Sequence, residues 1–136
     1  MVKDNLSTLT RQEVMDLLAK TKDLHKIDAR KANLSKLDFS GCDLREANLA
    51  YANLKECNFF KADLRKASLW NANLEGANFT EANLEEADLD YAKIRGSILY
   101  KANIRRATLP TELIPREDIM LAVESGCKVG QKKVNH

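Results

Sequence analysis

Histidine, glycine, proline and cysteine are all scarce in this chain, and most of these scarcities remove a class of function. Its 136 residues include two His, five Gly, two Pro, three Cys and one Trp. The histidines are His25 and the terminal His136, which make no metal pattern and no nucleophile–base pairing; His25 reads as a surface residue. No glycine-rich loop is present to cradle a phosphate. Cys42, Cys57 and Cys127 are odd in number and scattered, without metal-type spacing, which argues for a reducing compartment and against a disulfide framework. No apolar run approaches the roughly 18–20 residues needed to span a membrane. The start, Met1-Val2-Lys3-Asp4-Asn5, lacks the apolar region of a signal peptide, so a cytoplasmic location is expected. The carboxylates form no isolated pair and sit in runs such as Glu85-Glu86, where a solvated face is the default. These absences point away from an enzyme, a cofactor, a metal and a small-molecule substrate.

What the chain has in abundance is leucine at a period of five. From Leu34 to Leu109 sixteen consecutive fifth positions are Leu, Phe or Ile: eleven, three and two respectively. Two residues before each lies a small residue, Ala in twelve cases, and the residue between is Asn or Asp in twelve. Ala47-Asn48-Leu49 and Ala62-Asp63-Leu64 show the unit. A helix buries residues three and four apart and a strand alternates at two, so a period of five fits neither. Short repeats of this kind predict a stacked solenoid, in which neighbouring units supply the core that one unit cannot build alone. Phe39, Phe59 and Phe79 are spaced by twenty, or four units, which predicts a four-sided coil with the three rings in one internal column.

The A-(N/D)-L-x-x run over about residues 22 to 109 resembles the pentapeptide-repeat family. That resemblance implies a right-handed, quadrilateral parallel β-helix, in which the central residue and the small residue point inward and the other three outward. A narrow coil has room for one large side chain per side only if its inward neighbour is little more than a methyl group. Cys42, Cys57 and Ser97 are tolerable replacements for Ala; Leu37 is too large, and its place in the first coil leaves it free to reach into a cap. Ile98, at an outward position, is a second candidate for meeting a capping segment.

The expected architecture is therefore an all-β solenoid of about four coils with a short α-helix capping each end, because open coil ends expose apolar faces. Residues 1–21 hold the first helix, announced by the capping-box pattern Thr10-Arg11-Gln12-Glu13 and expected to run from Arg11 to about Lys20. Residues 22–109 form the β-helix. Residues 110–127 hold the second helix, with Pro115 in its first turn, Ile119 and Val123 on one face and Gly126 as C-cap. Residues 128–136, with three Lys and no acid, read as a flexible basic tail.

Function, on this pattern, is left to the outward x-x pair. Residues 32–109 carry eleven basic and eleven acidic side chains, so the repeat body is neutral. The side holding Arg45, Arg65, Glu85 and Arg105 mixes both signs and predicts salt-bridge ladders rather than a basic track. The next side brings Tyr51, Trp70 and Tyr91 together as an exposed aromatic patch, and another places Phe60 and Tyr100 two coils apart. Clustered Trp and Tyr are typical anchors for protein partners, although such rings also cover coil corners or pack on terminal segments. The leading reading is a non-enzymatic scaffold or regulator that binds an unidentified protein partner through a flat face. The family suggests an alternative: mimicry of DNA, with binding to DNA gyrase or topoisomerase and resistance to quinolones or toxins. That role requires a strongly negative surface in place of a phosphate backbone, which a neutral body does not supply. Direct nucleic-acid or membrane binding by three tail lysines is disfavoured. By analogy with the family's terminal pairing, the chain is expected to be a monomer or a dimer through a terminal cap.

Overall fold

A single square corner explains how the repeat works. The computed structural model describes residues 7–131. At the corner around Leu49, the Leu49 N–H donates to Ser68 O in the next coil at 2.8 Å, and Ala52 N–H closes a turn onto Leu49 O at 3.1 Å. The Asn48 side-chain oxygen accepts from Ala50 N–H at 3.2 Å, which fixes the chain direction as it enters the turn. Tyr51, the third residue of that turn, has φ 61° and donates to Trp70 O at 2.9 Å. The Asn/Asp preference is thus a backbone device. The same side-chain oxygen contact recurs at Asp43, Asn53, Asn58, Asp63, Asn73, Asn78, Asn83, Asp88 and Asn103.

Positive φ at the turn's third residue recurs every five residues from Lys26 to Arg106, and glycine fills the position only at Gly41, Gly76 and Gly96. A left-handed L-residue costs roughly 1–2 kcal/mol. The inter-coil hydrogen bond from its N–H and the fixed turn beside it hold it there.

Every β-bridge among the described residues is parallel and pairs a residue with one twenty further on. Two columns, Asp23/Asp43/Asp63/Asn83/Asn103 and Asp28/Asn48/Ser68/Asp88/Thr108, join five residues by four bridges; Asn33/Asn53/Asn73/Lys93 and Asp38/Asn58/Asn78/Ile98 join four by three. The interior is filled by the central residues and the small ones: Leu64, Leu69, Leu74 and Phe79 are 0% exposed, and Ala62, Ala67, Ala72 and Ala77 at most 1%. Phe39, Phe59 and Phe79 form the expected internal column, with centroids 5.3 and 4.9 Å apart and ring planes within 8° and 5° of parallel. Cys42 and Cys57 are buried at small positions, and Ser97, also fully buried, satisfies its hydroxyl on Ile94 O at 2.6 Å. Leu37 is half-buried against the core, and Ile98 keeps its regular place in the ladder.

The two ends are closed by different means. The first helix, α1 (Arg11–Leu18), begins at the Thr10/Glu13 capping box, stops two residues short of the expected Lys20, and buries Val14 completely. Leu9 N–H reaches Asp28 O at 2.8 Å, the same nineteen-residue offset that joins successive coils. Beyond it, side chains stand in for the missing strand. The Arg11 guanidinium donates to Asn33 O and Ser35 O at 3.1 and 3.0 Å, and Lys22 Nζ to Ser40 O at 3.1 Å.

At the other end, α2 (Arg116–Ser125) starts after Pro115 and terminates at Gly126, whose φ of 78° is the left-handed C-cap. It buries Ile119 and Ala122, while Val123 lies partly buried against the core. The expectation of a flexible tail from residue 128 needs correction: Val129 is 1% exposed, accepts from Gly96 N–H at 2.8 Å and donates to Ser97 O at 2.9 Å. It takes the place of a further coil, and Lys101 N–H similarly reaches Val123 O at 3.0 Å. The rest of the expected tail, 132–136, lies outside the described residues, as do residues 1–6 of the N-terminal segment. No helix among the described residues is long and apolar enough to cross a membrane.

Candidate partner-binding face

The four turn columns differ in the side chains they hold. Lys26, Glu46, Lys66, Glu86 and Arg106 alternate in sign down one column, with N···O distances of 3.8 Å for Lys26–Glu46, 4.0 Å for Lys66–Glu86 and 3.7 Å for Arg106–Glu86. Beside it, Arg45 and Arg65 clamp Asp43 and Asp63 at 2.6 and 2.7 Å. These contacts hold Asp43 down at about 2, chiefly through the Arg45 hydrogen bonds, and lower Asp63 in the same way. The expected ladders are present. The shallow groove between these columns, about 400 Å³ and lined by His25, Lys26, Arg45, Glu46, Arg65 and Lys66, is occupied by charges that already have partners: Lys26, Glu46 and Lys66 in a neighbouring coil, Arg45 and Arg65 in their own.

One trio at its edge has metal-ligand chemistry. Asp23, His25 and Asp43 place ligand atoms within 4.8 Å of one another. Yet His25 Nδ1 lies 2.7 Å from Asp23 Oδ1, and the Arg45 guanidinium holds both oxygens of Asp43 at 2.8 and 2.6 Å. A cation there has to displace that guanidinium, so the trio reads as an ion-pair cluster.

The Lys31/Tyr51/Asn71/Tyr91 column is different in kind. Tyr51 and Tyr91 are 48% and 47% exposed, and Trp70, from the neighbouring position, lies between them. Its ring centroid is 5.0 Å from Tyr51 and 6.3 Å from Tyr91, and both contacts are edge-on at 87°. Perpendicular packing suits the aromatic quadrupole and adds ~0.5–1.5 kcal/mol per pair beyond buried area. Trp70 is consequently half-buried rather than exposed as the sequence suggests, because the two tyrosines flank it.

The other two candidate rings do not join this strip. Phe60 and Tyr100, each 37% exposed, stand on a separate side, and each has the next lysine over its ring, Lys61 at 5.3 Å and Lys101 at 5.2 Å. Tyr100 lies against the C-terminal cap: a side chain at Gly126 would come within 3.3 Å of its ring. Sequence reasoning passed over the charges at the strip's ends. Lys31 is exposed at the N-terminal end; at the other, Asp90 faces Glu112, and the hydrogen bond between their side chains raises the Asp90 pKa and lowers that of Glu112. The signal for Glu112 was absent because it lies outside the repeat register.

The model of the family described as Pentapeptide repeats (8 copies) matches residues 23–59 and 57–96, more than half of the chain. The chain belongs to the pentapeptide-repeat family. Members form right-handed quadrilateral β-helices and are generally non-enzymatic structural or interaction proteins.

Among solved structures, this pentapeptide-repeat protein is similar to one from the cyanobacterium Cyanothece 51142, with 41% identity, a TM-score of 0.59, and 60% of this chain and 55% of that one covered. It is also similar to HetL of Nostoc sp. strain PCC 7120, described as involved in heterocyst differentiation regulation, at 31% identity and a TM-score of 0.65, covering 74% of this chain and 44% of HetL. The chain thus spans about half the length of these two relatives. A pentapeptide-repeat protein of the Arabidopsis thaliana thylakoid lumen shares the fold at 23% identity and a TM-score of 0.58, covering 85% of this chain and 86% of that one. No curated protein sequence matches.

Proposed function

We propose that this chain is a non-enzymatic scaffold or regulator that binds a protein partner through the face carrying Tyr51, Trp70 and Tyr91. The observation behind this reading is the three-ring strip itself: two half-exposed tyrosines around one tryptophan, in a protein whose other charged columns are paired internally. Phe60 and Tyr100 stand on a separate side and lie outside the proposed surface, Tyr100 against Gly126. HetL, described as involved in regulation, is a precedent for a regulatory role on this fold. The reading includes a reducing, cytoplasmic setting, supported by three free cysteines, two of them buried with thiol pKa values raised by burial. Whether the protein works as a monomer or pairs through a terminal cap does not alter the face.

Binding to a physiological partner, recovered by affinity capture and then measured with purified components, is expected to weaken by ~2 kcal/mol or more in Trp70→Ala. It is expected to respond only modestly to salt, because few charges are neutralised. DNA mimicry makes the opposite forecast of steep salt dependence and indifference to Trp70. Altered gyrase supercoiling at stoichiometric concentration, unchanged by Trp70→Ala, would overturn the scaffold reading.

A further inference from the structure

We infer that the Tyr51/Trp70/Tyr91 strip docks a proline-rich segment in the polyproline II conformation, lying along the solenoid axis with a basic residue at the Asp90/Glu112 end. This rests on the partner-binding reading and names the partner's chemistry. The first support is spacing. Tyr51 and Tyr91 are forty residues apart in one column, so two coils separate them, about 9.6 Å at the usual strand spacing. Their φ values, 61° and 58°, present the two side chains from the same backbone geometry. A polyproline II helix rises ~3.1 Å per residue with three residues per turn, a repeat of about 9.3 Å. One turn therefore brings equivalent faces of the ligand to both tyrosines, with Trp70 under the middle. A β-strand repeats at about 6.6 Å and two turns of α-helix at about 10.8 Å, and neither matches as closely.

The second support is chemistry. Proline-rich segments recognise aromatic surfaces because their apolar rings pack on aromatic faces and their preformed helix loses little entropy on docking. Among the described residues the other turn columns carry Lys26, Glu46, Lys66, Glu86 and Arg106, or Lys36 and Glu56, or Lys61, Glu81 and Lys101 at the equivalent positions, and Phe60 and Tyr100, also two coils apart, have Thr80 rather than a ring between them and a lysine over each ring. Asn71, between the tyrosines, supplies a polar side chain of the kind that reads the carbonyls of a polyproline II backbone.

The third support is charge. The strip has a cation at one end, Lys31, and the carboxylates Asp90 and Glu112 at the other. Two carboxylates that face each other gain from a cation brought between them. That polarity sets the ligand's direction, placing its arginine or lysine toward the C-terminal cap.

Trp70 is the chain's one tryptophan, so its fluorescence reports this face alone. The test titrates the full chain with three synthetic peptides: a proline-rich decamer ending in two arginines, a glycine/serine decamer with the same arginines, and an amphipathic helical peptide of equal charge. The proline-rich peptide is expected to give a saturating change in Trp70 emission. Tyr51→Asn and Tyr91→Asn, which place in the left-handed turn the residue that Asn71 already puts there, are expected to weaken it at least about tenfold. Glu112→Gln, which removes one of the two carboxylates and no ring, is expected to weaken it severalfold. No response to the proline-rich peptide up to about 1 mM, or an equal or stronger response to either control, would overturn the inference. The outcome is separable from that of the scaffold reading. A native partner still lost in Trp70→Ala while all peptides fail removes only the proline-rich assignment, whereas a partner indifferent to Trp70 removes both.

Discussion

Two aromatic columns run through this molecule, and they pack by opposite rules. Phe39, Phe59 and Phe79 lie inside, nearly parallel at 5.3 and 4.9 Å. Tyr51, Trp70 and Tyr91 lie outside, perpendicular at 5.0 and 6.3 Å. Inside, one coil's translation carries each ring onto the next, and close packing leaves no other orientation. Outside, solvent is on one side and the rings come from adjacent positions of the repeat, so the edge-to-face arrangement favoured by the ring quadrupoles is reached. The same twenty-residue period thus makes a rigid core column and an adaptable surface strip.

The sharpest way to break this contrast is at the centre of the inner column. Phe59→Ala is expected to cost ~3–5 kcal/mol in chemical denaturation, from lost burial and the cavity left between two rings. A near-neutral result would mean that the column is not the core's spine. Overfilling comes next. Ala72, 0% exposed, has no room to grow, so Ala72→Leu should cost ~1–3 kcal/mol. On the exposed side of the corner, Lys55→Leu should change stability by less than about 0.5 kcal/mol. Equal tolerance at the two sites would erase the distinction between inside and outside.

The outer strip should matter less to folding than to binding. Trp70→Ala removes two perpendicular ring contacts at a half-buried site, and thermal unfolding should show a loss of only ~1–2 kcal/mol. A loss as large as that of Phe59→Ala would make the strip structural. The charged columns should contribute less than the strip. Asp43, held at about 2 by Arg45, is depressed from its ordinary value, so the pair stabilises the fold above the unfolded carboxylate range and loses that contribution as pH falls toward 2. The advantage of wild type over Arg45→Met should be no more than ~1 kcal/mol near pH 6 and shrink through the window from about pH 5 to 2. Melting temperatures of both proteins across that range check it.

Much of this was legible in the chain. The five-residue rule set the corners, twenty-residue spacing set the four sides, and the phenylalanine column followed from both. The capping box at Thr10 and the C-cap at Gly126 stood out for the same reason: each is a local pattern with a local cause. Other features were hidden because they join residues that share no period. Nothing near Arg11 shows that its guanidinium will serve the carbonyls of Asn33 and Ser35, and Val129 sits in a stretch whose lysines suggest a solvated tail. Tyr100 reads like Tyr91 in sequence, yet it packs beside Gly126.

The sequence by itself determined the repeating cross-section, since a period of one large and one small inward residue admits only a narrow stacked coil, and Asn or Asp before the central residue closes each corner through its own side chain. Tertiary structure alone decided how the two open edges are satisfied, which rings stay at the surface, and that Asp90 and Glu112 come together beside the aromatic strip. The physical reason is range. Corners are built from hydrogen bonds and packing within five residues and repeat with the chain. Edges and faces are finished by segments that arrive from outside the repeat, and their partners are set by where the folded ends happen to lie.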